Sequence, residues 1–162
     1  MVAYAPHPFA NRESAGEIEK LSEPSYTTLM ENCIFCKIIA KQIPAEIVYE
    51  DVTVLAFLDI NPTKPGHTLV IPKAHHKMMV DTPEDIVADI FVKTKKLMVP
   101  LKNSLGAEYV ALSVVGTDVP HFHVHLIPRG SSDGLANFWP SKKYPEGEMQ
   151  KVGEKIRKEI KK

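Results

Sequence analysis

Three histidines, His121, His123 and His125, stand at alternate positions of the stretch VPHFHVHLIPRG, separated by Phe122 and Val124 and followed by Leu126. Side chains on a β-strand alternate between faces, so this spacing sends the imidazoles one way and the apolar residues the other, into the core. Three readings compete for such a row. A solvated strand face explains one stray histidine more easily than three in strict alternation. A single metal held by all three is strained: at about 3.3 Å per residue the outer Cα atoms sit roughly 13 Å apart, and bonds of about 2.0–2.1 Å would draw both outer rings far inward. The third reading is nucleophilic. Neutral imidazole, with an unperturbed pKa of about 6.5, is largely available at pH 7 and attacks phosphorus. It then needs an acceptor on its other ring nitrogen and donors aimed at the phosphoryl oxygens. On that reading the middle residue attacks and the outer two flank it.

A second constellation is Cys33 and Cys36, the only cysteines, spaced C-x-x-C. The N-terminal stretch lacks the apolar segment of a secretory signal, so the chain reads as cytoplasmic. A structural disulfide is disfavoured in that compartment, which leaves metal binding or redox chemistry. Nothing in the composition points to a polymer or a bilayer. Formal net charge is zero, so no global field recruits nucleic acid or an anionic membrane. Residues 141–162 carry eight Lys/Arg against four Asp/Glu, which reads as a solvated helix face. No apolar run approaches the roughly 20 residues that cross a bilayer.

The elements that must position these side chains are legible in outline. At 162 residues the chain fits one domain with a tail or two. Residues 1–30 are polar and Pro-rich and read as a flexible leader, with a folded domain over 31–130 and a C-terminal loop and helix over 131–162. CIFCKIIAKQI has the spacing of a short helix ended by Pro44. Strands are expected at 47–49, 54–58, 67–73, 108–115 and 121–127, with turns at Asn61-Pro62 and Pro65-Gly66. A long helix starts at Thr82 with Pro83 in its first turn, and buries Val87, Ile90, Phe91, Leu97, Met98 and Leu101. Pro100 should kink or end it. Residues 130–145 suit a loop, and Met149, Val152, Ile156 and Ile160 mark one face of a last helix over about 146–161. Most strands follow too closely for parallel crossovers. The class is therefore α+β, with a mostly antiparallel sheet of about five strands, one long and one short helix, and a C-terminal helix.

HFHVHLI resembles the signature of the histidine-triad (HIT) family of nucleotide hydrolases and transferases. CIFCKIIAKQIPAEIVYEDVTVLAFLDINPTKPGHTLVIPKAH is similar to the family's N-terminal half, in the branch of small purine-nucleotide phosphoramidases. The resemblance covers about residues 31–130 and rests on three motifs in the same order and spacing. It implies that His123 attacks the α-phosphate of a purine nucleotide conjugate, expels the leaving group and forms a covalent nucleotidyl-histidine that water hydrolyses. It implies that His125 and His67 orient the nucleophile and contact phosphate. Asp59 matches the residue that binds both ribose hydroxyls, although an Asp in that setting is otherwise a turn residue. Phe35, Ile38, Phe57 and Ile60 match the walls of the base pocket, and would otherwise be plain core.

Thr117 and Asp118 occupy positions where relatives often carry Gln and a small polar or acidic residue after a glycine. Gly116 keeps that pattern. Thr117 departs from it, because one hydroxyl on a short arm reaches less far than Gln, and this bears on leaving-group contacts. Cys33, Cys36, His75 and His121 match the ligands of the zinc-containing branch, a closed tetrahedral set and therefore a structural site; His76 is an alternative to His75. A His121 tied to zinc leaves His123 and His125 for the reaction. The resemblance also implies a homodimer whose Trp139 segment and last helix reach the partner or its site. Rival readings are dinucleoside polyphosphate hydrolysis, a nucleotide-binding adaptor with vestigial activity, and an open catalytic zinc on His121 and His123.

Overall fold

The computed structural model describes residues 32–134 and 143–160. The leader over 1–30 and the Trp139 segment lie outside them. Among the described residues are helix α1 (Ile34–Ile39), strands β1 (Ile47–Glu50), β2 (Val54–Leu58) and β3 (Thr68–Pro72), and a 3-10 turn (Met79–Asp81). They are followed by helix α2 (Glu84–Leu105), strands β4 (Tyr109–Ser113) and β5 (Val124–Arg129), and helix α3 (Glu148–Ile160). The strands form one antiparallel sheet in the order β1-β2-β3-β5-β4. No described helix is long and apolar enough to cross a membrane.

The sheet separates two apolar clusters, because alternate residues of its strands face opposite ways. Val54, Ala56, Val70, Phe122, Val124 and Leu126 pack with Ile90, Val87, Leu97 and Leu101 of α2. Leu55, Phe57, Leu69 and Ile71 face the other way, onto Cys33, Phe35, Cys36 and Ile38 of the α1 segment. Burying a side chain the size of Leu55 or Ile71 stabilises the fold by about 1.5–3 kcal/mol.

Helix α2 begins one turn position later than its sequence suggests. Pro83 is the N-cap, and Glu84 and Asp85 fill the first turn, where carboxylates favour the helix dipole. Pro100 does not end it: the helix continues to Leu105 and stops at Gly106, whose φ of 63° is left-handed. Proline forfeits one backbone bond, but Leu97, Met98 and Leu101 on either side of it stay packed on the sheet. The fifth strand also differs. It was expected from His121, yet pairing begins at Val124, opposite Val70. Pro72 supplies no N–H to extend the ladder, and its carbonyl accepts from the His121 ring at 2.9 Å instead of from an amide. Phe122 still faces α2.

A polar latch joins the β1–β2 turn to α2. Lys93 Nζ lies 2.7 Å from Asp51 and 2.8 Å from Asp89, and the Tyr49 hydroxyl donates to Asp51. Burial pushes the Asp51 carboxyl up, but hydrogen bonds from Lys93, Tyr49 and the Val54 and Thr53 amides outweigh it and hold the carboxyl well below the usual carboxylate range. A depressed acid contributes stability above its unfolded pKa of about 3.9 and loses it as pH falls through that value toward the folded one. The loss of stability between pH 7 and acid, measured by denaturant unfolding followed by circular dichroism, should therefore be larger in the wild type than in Asp51→Asn, which has no carboxyl to protonate at that position.

Gly66 sets the turn that leads into His67. Its φ is 85°, and a Cβ there would lie 2.1 Å from Leu105 Cδ1. Gly66→Ala should cost about 1–3 kcal/mol in denaturant unfolding, from backbone strain and the displaced leucine together.

Candidate functional site

The histidines gather on the face of the sheet covered by α1. His121 comes from the segment just before β5, His75 from the chain after β3, and both cysteines from the start of α1. All four residues are buried. Their donor atoms lie within 4.8 Å of one another. Cys33 Sγ to His121 Nδ1 is 3.4 Å, Cys36 Sγ to His75 Nδ1 3.2 Å, Cys36 Sγ to His121 Nδ1 3.6 Å, and the two Nδ1 atoms stand 3.3 Å apart. A tetrahedron with metal–nitrogen bonds of about 2.05 Å and metal–sulfur bonds of about 2.3 Å has edges of roughly 3.4 Å (N to N) and roughly 3.6 Å (S to N). The observed edges fit that figure closely enough for the four residues to hold a metal ion. The tautomer fits too. His121 Nε2 donates to the Pro72 carbonyl, which leaves Nδ1 as a lone pair aimed into the cluster.

Without a cation the pocket favours uncharged ligands. Burial, and then Cys33, push the Cys36 thiol up to about 12, and burial brings His121 down to about 4 despite the Pro72 carbonyl. Bound positive charge reverses that preference for the thiol. His75, rather than His76, belongs to the set. The His76 carbonyl accepts the Phe122 amide at 2.6 Å, tying the same loop to the histidine row.

His123 is buried between two rings. Phe35 stands edge-on at 5.3 Å between centroids and His125 at 4.8 Å. His123 Nδ1 lies 2.6 Å from the backbone carbonyl of His121. A carbonyl only accepts, so Nδ1 carries the hydrogen and Nε2 keeps the lone pair.

A relay approaches from the other side. The Thr63 amide donates to His67 Nδ1 at 3.3 Å, and His67 Nε2 lies 2.9 Å from His125 Nδ1. With His67 Nδ1 accepting, its Nε2–H donates to His125, and the hydrogen of neutral His125 is then on Nε2. Asp59 Oδ2 is 3.5 Å from His67 Nδ1 and accepts from that nitrogen only when Nδ1 carries a hydrogen. Burial lowers the pKa of His67 more than Asp59 raises it, which favours the neutral ring, and the Thr63 amide selects the tautomer with Nδ1 bare. Burial, then the neighbouring His123 and His67, bring His125 down to about 4. The pair thus stays neutral near pH 7.

The remaining residues singled out in the sequence divide. Asp59 is half-buried beside His67 and accepts the Asn61 amide at 2.8 Å. Phe35, Ile38 and Phe57 are buried in the α1-side cluster, and Phe35 meets Phe57 edge-on at 5.4 Å. Ile60 is not among them, being 85% exposed. Thr117 and Asp118 are exposed; the Thr117 hydroxyl donates to Asp118 at 3.2 Å, and among the described residues no hydrogen bond joins either to His123 or His125.

Sequence reasoning missed four participants. The Pro72 and His121 carbonyls and the Thr63 amide are backbone groups and leave no trace in residue type. The fourth is a cavity of about 180 Å³ beside His123, walled by Met78, Met79, Val114 and Val115. Its signal was available: Met78, Met79 and Val80 are three consecutive apolar residues that the fold leaves exposed. A larger cavity, of about 630 Å³, lies between the Asp51–Val54 turn and α2 and contains none of the histidines. Size alone therefore misplaces the chemistry.

The HIT domain model matches residues 40–132. An uncharacterized HIT-like protein of Methanocaldococcus jannaschii is 47% identical over 107 residues, spanning 63% of this chain and 82% of that one. An adenosine 5'-monophosphoramidase of Saccharomyces cerevisiae is 37% identical over 143 residues, 87% of each chain. A Zn-bound histidine triad family protein from Mycobacterium smegmatis superposes with a TM-score of 0.63 at 32% identity, covering 70% of this chain and 86% of that one.

If the cluster holds metal, Cys36→Ser should weaken metal retention at least tenfold by elemental analysis. It should also lower Tm by several degrees, since about 1 kcal/mol corresponds to 2–4 °C for a chain of this size. A wild type that takes up no metal from added zinc and keeps the same Tm with and without it would identify the four residues as plain core.

Proposed function

The chain belongs to the HIT domain family, and from that premise we propose that it hydrolyses nucleoside phosphoramidates or related purine nucleotidyl conjugates, with His123 as nucleophile. The observation that carries this reading is the 2.6 Å contact between His123 Nδ1 and the His121 carbonyl, which makes Nε2 the attacking atom. Nε2 forms a bond to the α-phosphorus, the phosphorus–nitrogen bond breaks, and the amine departs with its electron pair and a proton taken from solvent. Water then displaces the nucleotide from Nε2 and releases a proton to solvent. His125, held through His67, presents its Nε2–H to the phosphoryl oxygens, where charge grows in the transition state.

Asp59 stands beside His67 where it can accept from the ribose hydroxyls, and Phe35 and Phe57 wall the base side. Ile60 forms part of that wall only if the nucleotide itself covers it. The four-donor cluster is assigned to zinc on its two thiolates and two imidazoles. A zinc so held keeps no open position, which argues for a structural role over the open catalytic site. The yeast relative's activity supports phosphoramidate cleavage over dinucleoside polyphosphate cleavage. A homodimer is carried over from the sequence resemblance.

Adenosine 5'-phosphoramidate should be turned over by the wild type, and His123→Ala should lose about 10³-fold or more in kcat, as deletion of a covalent nucleophile does. Equal inertness of both proteins, with AMP still bound, would refute the assignment.

A further inference from the structure

His121 belongs to two systems at once. Its ring lies in the Cys33, Cys36 and His75 cluster through Nδ1 and on the Pro72 carbonyl through Nε2. Its backbone amide donates to Val119 at 2.8 Å, and its carbonyl accepts from His123 Nδ1. All of its polar atoms are therefore engaged, and the residue is fully buried. We infer that Cys33, Cys36 and His75 are positioning residues for the reaction: by fixing His121 they fix the carbonyl that sets the tautomer and direction of His123. This rests on His123 being the nucleophile.

The physical case is one of stiffness. The His121 carbonyl can hold His123 in one tautomer only as firmly as His121 itself is held. Two tethers, the Pro72 carbonyl on its ring and the His76 carbonyl on the Phe122 amide, need no metal. The third is the cluster. In the absence of a cation its members are two neutral thiols, which are weak donors, and two imidazoles. With a cation each side chain is held by a directed bond of fixed length, and the ring cannot pivot about Nε2. A pivot carries with it the carbonyl, three bonds from the ring, and among the described residues His123 Nδ1, buried against Phe35, has no other hydrogen-bond acceptor. Losing tautomer control outright costs a serine protease about 10⁴-fold, and weakening its support should cost less, about tenfold in kcat.

The test uses the wild type, well below its Tm. The ring nitrogens are followed by ¹⁵N NMR, with the His123 signals identified by their absence in His123→Asn. A chelator is titrated in while circular dichroism reports the fold. The expected result is a single Nδ1–H tautomer in the metal-loaded protein that becomes a mixture as metal leaves, with circular dichroism unchanged. In parallel kcat should fall about tenfold at constant KM, and added zinc should restore both. Removal of the metal with the tautomer intact would overturn the inference. So would simultaneous loss of tautomer and circular dichroism, which would make the cluster structural only. If the metal-loaded wild type fails to cleave any phosphoramidate, the functional reading falls, and the NMR arm still decides whether the cluster positions His123.

Discussion

The structure turns on the clamp around His121. An imidazole in the interior loses about 1–3 kcal/mol for each nitrogen left without a partner. Here the Pro72 carbonyl takes one nitrogen and the Cys33, Cys36 and His75 group surrounds the other. The α1 segment, the loop after β3 and the approach to β5 are thus drawn to one point. That convergence also explains why the β3–β5 ladder stops at Val124. The backbone of 121–122 is engaged with Val119 and His76 instead of with a strand.

Beyond that point the sheet divides the work. The α2 side is apolar, and its helix is long enough to cover the sheet even with a proline inside it. The α1 side mixes apolar residues with His67, His75, His121 and His123, all buried. Phe35 is the element common to both of its tasks, since it meets Phe57 in the core and stands edge-on to His121 and His123. Edge-to-face contacts of this kind contribute about 0.5–1.5 kcal/mol each and also fix ring orientation. Core packing and nucleophile placement share that side chain.

Burial gives the site its electrostatic character. Burial disfavours the charged imidazole first and neighbouring positive charge second, so His67, His75, His121 and His125 all have lowered pKa values. Neutral rings can pass hydrogen bonds in one direction, from the Thr63 amide through His67 to His125. A protonated member would break that order and turn His67 toward Asp59.

The local layer was legible in residue type and spacing. The period-two row at 121–126 sends Phe122, Val124 and Leu126 under α2, and the stripe from Val87 to Leu101 is the buried face of that helix. A mostly antiparallel sheet of about five strands follows from short connections and turn residues, whereas the order β1-β2-β3-β5-β4 does not. The meeting of Cys33 and Cys36 with His75 and His121 was reached only through family resemblance, because residues 88 positions apart leave no periodic signal. Tertiary structure alone decided the rest. It carried α2 past Pro100, because packing on both sides outweighs one lost hydrogen bond. It left Ile60 exposed and kept Thr117 and Asp118 without a hydrogen bond to the histidines. It also recruited the Pro72 and His121 carbonyls, whose direction depends on backbone path, and every residue type carries the same carbonyl.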